Sequence, residues 1–364
     1  MKKINVAVIG AGGITGREVC RLLLSHEKVN KILPVARSQE NFSRVHRNLD
    51  GSDLEFIKIE DLKKQLATVD VVYFCTPTGE CMKNAKFFLD ANCLIIDLSA
   101  DFRFSSCDDF ERAHNKKHMA PDLNSQAVYG ITEIYRKKIV NSRLIANPGC
   151  YVIASILGMA PMLQSELIDF DKRISIFGIN GTSGAGLSQK ADLLHVNAFG
   201  SMLPYNLNGH RHCLEIEKQS EELSGCPVKC DLTTMHGNFS RGILVVICLP
   251  VKKLYIDTIT RDSLISDYLD YFGKKSDKEN FVIINNFSRN ESASSKEYDL
   301  YPSMAKVVGS NFCHLGIDYD RNSEMIKIVS VIDNLIKGAA GSGIQNMNVA
   351  LGYQENLGLE AYGM

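Results

Sequence analysis

Cys150 is the residue of this chain best placed for covalent chemistry. It follows Asn147-Pro148-Gly149, and beyond it apolar residues recur at helical spacing, at Val152, Ile153, Ile156, Leu157 and Ala160. This pattern places Cys150 in the first turn of a helix, where unpaired backbone N–H groups and the helix dipole stabilise a thiolate. A thiolate there could attack a carbonyl carbon. The alternative is a small, buried core cysteine, the usual place of a lone intracellular cysteine.

The segment Gly209-His210-Arg211-His212 supplies candidate partners for Cys150. Imidazole is the side chain best matched to proton transfer near neutral pH, and an arginine between two histidines could bind an anion. We interpret His210 as the acid/base and His212 as a contact to substrate or phosphate, although their spacing also allows the reverse. The ordinary alternative is a purely structural histidine. We expect no metal, because this segment lacks a second ligand pair at metal spacing.

The N-terminal region has the pattern of a dinucleotide-binding turn. An apolar run from Ile4 to Ile9 predicts a strand, and a helical pattern follows a glycine-rich turn. Glycines there let the backbone approach a pyrophosphate, and the helix N-terminus offers N–H donors to it. A merely tight turn is the alternative. The expected cofactor contacts of the turn are Gly10, Gly12, Gly13, Ile14, Thr15 and Gly16.

The next predicted strand, residues 31–36, indicates which dinucleotide binds. It ends at Arg37 and Ser38, where NAD-specific sites usually carry an acidic residue. Because arginine pairs with a phosphate and serine can donate to one, these residues favour NADP(H) as the cofactor. A solvated loop arginine is the alternative.

Two further predicted strands, at residues 69–75 and 93–98, end in polar segments. Ligands of open parallel sheets bind beyond the carboxyl ends of strands. Thr76, Pro77 and Ser99 are therefore candidate cofactor contacts, and Arg103 is a candidate anion clamp near the same edge.

The chain is predicted to form two domains, because 364 residues exceed one small core. Strands and helices alternate in the first part, whereas the strands after about residue 165 follow a mixed α+β pattern. We expect a Rossmann-type α/β domain with a doubly wound parallel sheet, formed by residues 1–149 and 333–364. Residues 150–332 would form a second α+β domain for catalysis and oligomerisation. Its small-residue loop at 180–186 could approach a ligand through the backbone or be a flexible turn.

The charge, the apolar runs and the cysteine pattern of the chain indicate which kinds of partner and which cellular compartment to expect. The formal net charge is −1 and there is no basic stripe, which argues against nucleic acid. No apolar run reaches the roughly 18 residues that span a bilayer, and the N-terminus lacks a signal-peptide pattern. The 11 cysteines are scattered without a CxxC pair, which is typical of reduced thiols. We therefore expect a cytoplasmic protein without membrane partners.

Segments from end to end of the chain resemble the N-acetyl-γ-glutamyl-phosphate reductase family, which is related to aspartate-semialdehyde dehydrogenase. The most specific segments are Ser99-Ala100-Asp101-Phe102-Arg103 and the His-Arg-His segment. The others are residues 10–16, 129–133, 147–151, 241–243, 308–311 and 333–339. The resemblance implies a Rossmann domain and an α/β dimerisation domain, with NADPH as hydride donor. It also implies substrate contacts at Arg103, Asn147, Ser183, His212 and Arg241, and cofactor contacts at Gly184 and Asn334.

An enzyme of this family would reduce the acyl phosphate on the γ-carboxyl of an N-acylated glutamate to the semialdehyde. Inorganic phosphate would leave as a Cys150 thioester forms, in a step of arginine biosynthesis. The acyl group, acetyl or succinyl, stays open. Two alternatives remain: an aspartate-type or other phosphorylating semialdehyde dehydrogenase, and a catalytically silent NADP-binding sensor. The sheet predicted in the second domain favours a homodimer or homotetramer.

Overall fold

The computed structural model describes residues 3–37, 40–187, 190–273, 279–288 and 298–363. The chain forms two compact units. The first comprises Met1–Gly149, Ala185–Leu187 and Gly338–Glu360, and the second comprises Cys150–Gly184, Ser188–Lys337 and Ala361–Met364. The C-terminal return to the first unit thus begins at Gly338, later than residue 333.

The first unit is built on a parallel sheet of six strands: β1 (Ile4–Ile9), β2 (Val29–Val35), β3 (Val71–Phe74), β4 (Leu94–Asp97), β5 (Val128–Tyr129) and β6 (Leu144–Ala146). The strand order is β2-β1-β3-β4-β6-β5, and every neighbouring pair is parallel. All residues of β3 and β4 are buried, as is typical of parallel strands covered on both faces. The strand order reverses between β1 and β3, where sheets of this type bind ligands.

Helices connect these strands: α1 (Ile14–Leu24), α2 (Phe42–Val45), α3 (Ile59–Lys64), α4 (Glu80–Asp90), α5 (Cys107–His114), α6 (Pro121–Asn124) and α7 (Thr132–Ile139). The apolar pattern of residues 139–146 predicts one more strand, and this prediction is wrong in its first part. The buried Ile139 ends α7, and Asn141 turns the chain with φ 62° before β6 begins. An asparagine tolerates this left-handed conformation better than most residues.

The second unit contains a mixed sheet of seven strands: β7 (Ile174–Asn180), β8 (Leu203–Tyr205), β9 (Cys230–His236), β10 (Ile243–Pro250), β11 (Val282–Ile284), β12 (Cys313–Asp320) and β13 (Met325–Ile332). Its order is β11-β12-β13-β10-β7-β9-β8. Its helices are α8 (Cys150–Leu163), α9 (His195–Ala198), α10 (Arg211–Ser224) and α11 (Arg261–Phe272). Helix α8 is apolar all round and packs on β10, β13 and α10, so every residue after Cys150 is buried.

The chain then passes through a π-helical turn, Ile336–Ala340, into α12 (Gly341–Ala350). The sequence pattern predicts a helix at residues 343–352; the observed helix begins two residues earlier and is buried along its whole length. Its polar side chains are satisfied internally; Asn346, for example, donates to the Gly130 carbonyl at 2.9 Å and accepts from the Thr132 hydroxyl at 2.7 Å.

The parallel Rossmann-type sheet and the second, mixed α+β unit confirm the predicted fold class. Within the part of the chain that the structure describes, no helix combines the length and apolarity needed to cross a membrane.

Candidate functional site

The glycine turn after β1 depends on two close backbone approaches. Gly10 has φ +86°, and a Cβ there would lie 2.3 Å from the carbonyl oxygen of Cys75. A Cβ on Gly16 would lie 2.5 Å from the Gly10 oxygen. Only glycine fits these two positions, whereas Gly12 and Gly13 have room for a side chain.

A cleft of about 920 Å³ opens beside this turn. The Thr76 hydroxyl in its wall is buried and has no hydrogen-bond partner among the described residues. A bound ligand could satisfy that orphaned group, so the cleft fits a polar molecule such as a dinucleotide. The predicted cofactor contacts that line it are Gly10, Gly12, Gly13, Arg37, Thr76 and Pro77.

The other predicted contacts of the first unit lie elsewhere. Ile14, Thr15 and Gly16 form the start of α1 rather than the lining of the cleft. Ser99 is buried, and its hydroxyl accepts the Asp101 N–H at 3.2 Å. Ser38 lies outside the described residues.

Sequence reasoning missed two cations of this cleft, Lys58 and Lys63. Ile57 donates to the Pro34 carbonyl at 2.9 Å and accepts the Ala36 N–H at 3.2 Å. This pairing carries Lys58 to the end of β2, where Arg37 also lines the cleft. No local pattern in the sequence predicts that Lys58 lies near Arg37, because the two segments that pair are distant along the chain.

Arg103 holds backbone in place. Its Nε donates to the Asn147 carbonyl at 2.9 Å and its Nη2 to the Leu98 carbonyl at 3.2 Å. Asp101, in the same motif, accepts the N–H groups of Gly79 and Met82 at the start of α4. The side chains of this motif therefore hydrogen-bond the backbone of the segments that follow the strands. An anion contact by Arg103 stays a prediction.

Asn147 is likewise held by its own unit. Its amide donates to the Ala339 carbonyl at 3.3 Å. Its Oδ1 accepts from the Ser342 hydroxyl and from the Asn346 amide, both at 3.0 Å. These bonds orient the segment that runs into Cys150, and a substrate contact by Asn147 stays a prediction.

The strand register of the second unit brings three loops together at one end of its central strands. Asn180 pairs with His236 on one side and with Ile243 on the other, and Ile243 also pairs with Ile332. The loops that continue from these positions are hydrogen-bonded to one another; the Ser183 N–H, for example, donates to the Ser240 carbonyl at 3.1 Å.

The residues of these loops that were predicted to contact a ligand also form interactions within and between the loops. Asn334 accepts the Gly242 N–H at 2.7 Å and donates to the Ser183 hydroxyl at 3.0 Å. The Arg241 Nε lies 3.2 Å from Oδ2 of the buried Asp333. A Cβ on Gly184 would lie 2.1 Å from the Asn180 amide nitrogen. Ligand contacts by Ser183, Gly184, Arg241 and Asn334 stay predictions.

Cys150 is the first residue of α8 and is half-buried, as the helical pattern predicted. Burial raises the pKa of the Tyr151 and Tyr205 hydroxyls, and the charge of a Cys150 thiolate raises both further. Cys150 directly precedes Tyr151, and the Tyr205 hydroxyl donates to the Tyr151 hydroxyl at 3.4 Å. Both stay neutral near pH 7 and can donate hydrogen bonds.

His210 belongs to the same cluster. It is the N-cap of α10, and its Nδ1 accepts the His212 N–H at 3.1 Å. Its ring centroid lies 5.7 Å from that of Tyr151 and 5.8 Å from that of Tyr205. Burial, helped by the Arg211 charge, lowers the pKa of His210 to about 4, so the imidazole is neutral at pH 7.

His212 is buried on α10, with its ring 4.7 Å from that of His210. The rings of His210, His212, Tyr151 and Tyr205 thus form one cluster, and Cys150 directly precedes Tyr151 in α8.

Sequence reasoning missed His236, at the end of β9. Its ring stacks on Tyr205 with centroids 4.3 Å apart. It is buried, and its Nδ1 has no hydrogen-bond partner among the described residues. Burial is the main cause that lowers its pKa, and the Lys190 charge adds to it. The antiparallel pairing of β8 with β9 brings this histidine to Tyr205 and so to the cluster.

The two units match two domain families. Residues 5–142 match "Semialdehyde dehydrogenase, NAD binding domain", and residues 150–334 match "Semialdehyde dehydrogenase, dimerisation domain". A Methanosphaera stadtmanae protein named N-acetyl-gamma-glutamyl-phosphate reductase is 36% identical over 100% of this chain and 99% of its own length. A protein of the same name from Vesicomyosocius okutanii is 35% identical over 99% of each chain.

Solved structures resemble the whole chain. Aspartate semialdehyde dehydrogenase II of Vibrio cholerae, complexed with ASA, has a TM-score of 0.68 at 17% identity. Aspartate semialdehyde dehydrogenase with NADP from Candida albicans has a TM-score of 0.64 at 13% identity. Each match covers 96% of this chain and 98% of the other. At such low identity these similarities show the fold alone.

Proposed function

Because the chain belongs to the N-acetyl-γ-glutamyl-phosphate reductase family of semialdehyde dehydrogenases, we propose that it reduces N-acetyl-γ-glutamyl phosphate to N-acetylglutamate semialdehyde. Inorganic phosphate is released, and the step serves arginine biosynthesis. The observation that carries this proposal is the half-buried Cys150 at the start of α8, whose neighbour in the helix, Tyr151, packs against the ring of His210. The N-succinyl substrate remains the alternative, and a cytoplasmic location stays a prediction.

The proposed chemistry runs through a thioester on Cys150. The thiolate sulfur bonds to the γ-carbonyl carbon, and the carbonyl electron pair moves to oxygen. Cys150 begins α8, and N–H groups in the first turn of a helix stabilise a negative oxygen of this kind. Collapse of this adduct breaks the bond to phosphate and leaves the thioester. Bound NADPH supplies the hydride that reduces the thioester carbon. The C–S bond then breaks, which releases the aldehyde and restores the thiolate.

The preference for NADP(H) over NAD(H) rests on the charges of the cleft. Arg37, Lys58 and Lys63 line it around the end of β2, where an NAD-specific site would carry a carboxylate for the ribose hydroxyls. Guanidinium and ammonium groups bind a 2′-phosphate instead. The Thr76 hydroxyl supplies a further polar contact for the dinucleotide.

We also propose that the protein works as a homo-oligomer. The second unit matches a dimerisation domain, and the face of its sheet opposite α8 leaves apolar side chains uncovered. Phe177 on β7 is 46% exposed there, and its neighbours Ile179, Leu244 and Val246 are only half-buried. A second copy packed on this face would cover them. Dimer and tetramer remain open.

The test is a substrate comparison in the direction of aldehyde oxidation. The purified enzyme is supplied with phosphate, NADP⁺ and one aldehyde: N-acetylglutamate, N-succinylglutamate or aspartate semialdehyde. We expect the highest kcat/KM with the N-acetyl compound, and a lower value when NAD⁺ replaces NADP⁺. A preference for aspartate semialdehyde would overturn the proposal, and NADP⁺ binding without turnover of any aldehyde would favour a silent sensor.

A further inference from the structure

We propose that His210 acts as a fixed Nε2–H hydrogen-bond donor to the substrate oxyanion, and that it does not accept and return the catalytic proton. This inference rests on the proposed function and deepens it. It replaces the acid/base role that the sequence suggested for this residue.

The direction of one hydrogen bond carries the argument. The Nδ1 of His210 accepts the His212 N–H at 3.1 Å, which caps the first turn of α10. A neutral imidazole has one protonated nitrogen and one lone pair. With the lone pair of Nδ1 committed to that N–H, the proton must sit on Nε2. An Nε2 that already carries a proton can donate a hydrogen bond and cannot accept a proton.

A histidine that serves as a general base is held the opposite way. In a Ser-His-Asp triad the imidazole donates its Nδ1–H to a carboxylate, and this leaves the Nε2 lone pair free as the base. In His210 a backbone N–H occupies the place of the carboxylate. Protonation at Nδ1 would break the cap and leave the N–H of His212 without its acceptor, which costs free energy at this half-buried helix end.

The groups around His210 agree with a neutral donor. Arg211 precedes His212 on α10, Tyr151 faces the ring from α8, and Tyr205 faces it from β8. Arg211 and burial both disfavour an imidazolium. Cys150 directly precedes Tyr151 at the start of α8, and the Tyr151 ring lies 5.7 Å from that of His210, so the oxyanion formed on its thioester would arise next to this cluster.

The proposed reaction balances without a proton passing through His210. Cys150 begins and ends each turnover as a thiolate. The negative oxygen forms twice, once on attack and once after hydride delivery, and each time it collapses to a carbonyl. The single proton taken up per turnover comes from solvent and ends on the released phosphate. His210 therefore needs only to stabilise the oxyanion.

Two substitutions of His210 separate the donor from the helix cap. In His210→Asn the amide oxygen can replace Nδ1 as the cap, but nothing replaces Nε2–H. In His210→Gln the longer amide can place an N–H near the former Nε2, while the cap is weakened. If His210 is a donor, the Asn variant loses about 100- to 1000-fold in kcat with little change in KM, as for one lost oxyanion donor. The Gln variant stays within about tenfold of the wild type, by the same scale.

An acid/base His210 predicts a different pair of results. Neither amide titrates near neutral pH, so both variants would lose kcat equally, and that outcome would overturn the proposal. Melting temperature and NADPH affinity of both variants show whether each is folded.

The tautomer can be measured without turnover, so this measurement stands even if the proposed substrate is wrong. ¹⁵N NMR of histidine-labelled protein, assigned with the His210→Asn variant, should show an unprotonated Nδ1 and a protonated Nε2 between pH 6 and 8. A protonated Nδ1 on His210 would refute the inference. Loss of all aldehyde turnover with this tautomer in place would instead count against the proposed function alone.

Discussion

The cysteines of this chain differ in chemical character because their surroundings differ. Burial raises the pKa of Cys20 to about 12 and that of Cys93 to about 11, so these thiols stay protonated at neutral pH. Cys226 is exposed, and Cys150 is half-buried at a helix start. Thiolate character and access together decide the rate of alkylation. Cys150 and Cys226 are therefore the two thiols to separate by experiment.

The first prediction concerns Cys150 itself. In a Cys226→Ser background, one equivalent of iodoacetamide near pH 7 should label Cys150 rapidly and abolish turnover. Cys150→Ala should lower kcat by more than about 1000-fold, as expected for a lost nucleophile. NADPH affinity, measured by the fluorescence of the bound cofactor, should stay nearly unchanged. Substantial residual turnover in Cys150→Ala would rule out covalent catalysis.

At the scale of elements, the junction of β1 and α1 depends on the backbone of Gly10. Its φ is positive, and a Cβ there would lie 2.3 Å from the Cys75 carbonyl oxygen, so this position has no space for a side chain. Gly51 supplies a matched control, because it also has a positive φ, +83°, but a Cβ there meets nothing within 4 Å. Comparing alanine substitutions at Gly10 and Gly51 separates the free-energy cost of a strained φ from the cost of a steric overlap.

We therefore expect Gly10→Ala to be worse than Gly51→Ala on two measurements. Gly51→Ala should lower the free energy of unfolding by about 1 kcal/mol, the cost of a left-handed φ for a side chain. Gly10→Ala should cost about 1–3 kcal/mol more, because the overlap forces the backbone to shift. Thermal melting measures this difference, and an NADPH titration should show weakened binding for Gly10→Ala alone. Equal NADPH affinities in the two variants would contradict the assignment of this turn to the cofactor.

At the scale of the whole molecule, the uncovered sheet face of the second unit decides the assembly. Phe177→Glu would place a charge among Ile179, Leu244 and Val246, and burial of that charge in an interface is costly. We expect light scattering to show a shift from oligomer to monomer. Leu254→Glu is the control, since Leu254 is 79% exposed and lies outside this face. Unchanged mass for Phe177→Glu would place the interface elsewhere.

Local patterns in the sequence determined much of this protein. The run Ile4–Ile9 predicted β1 with its observed bounds, and the glycine turn predicted the start of α1. The apolar spacing after Cys150 predicted the helix that this residue begins. These features follow from residues close along the chain, where side-chain periodicity and glycine geometry act directly. For the same reason the local pattern failed at Ile139, whose apolar neighbours suit a buried helix end as well as a strand.

Only the tertiary structure decided what each functional side chain touches. Lys58 reaches the end of β2 through its neighbour's pairing with Val35, and His236 reaches Tyr205 through the strand order of the second sheet. The sequence named His210, whereas the hydrogen bond from His212 decided which ring nitrogen carries the proton. The physical reason is that strand register joins residues distant along the chain, and a hydrogen bond has a direction that residue type alone does not specify.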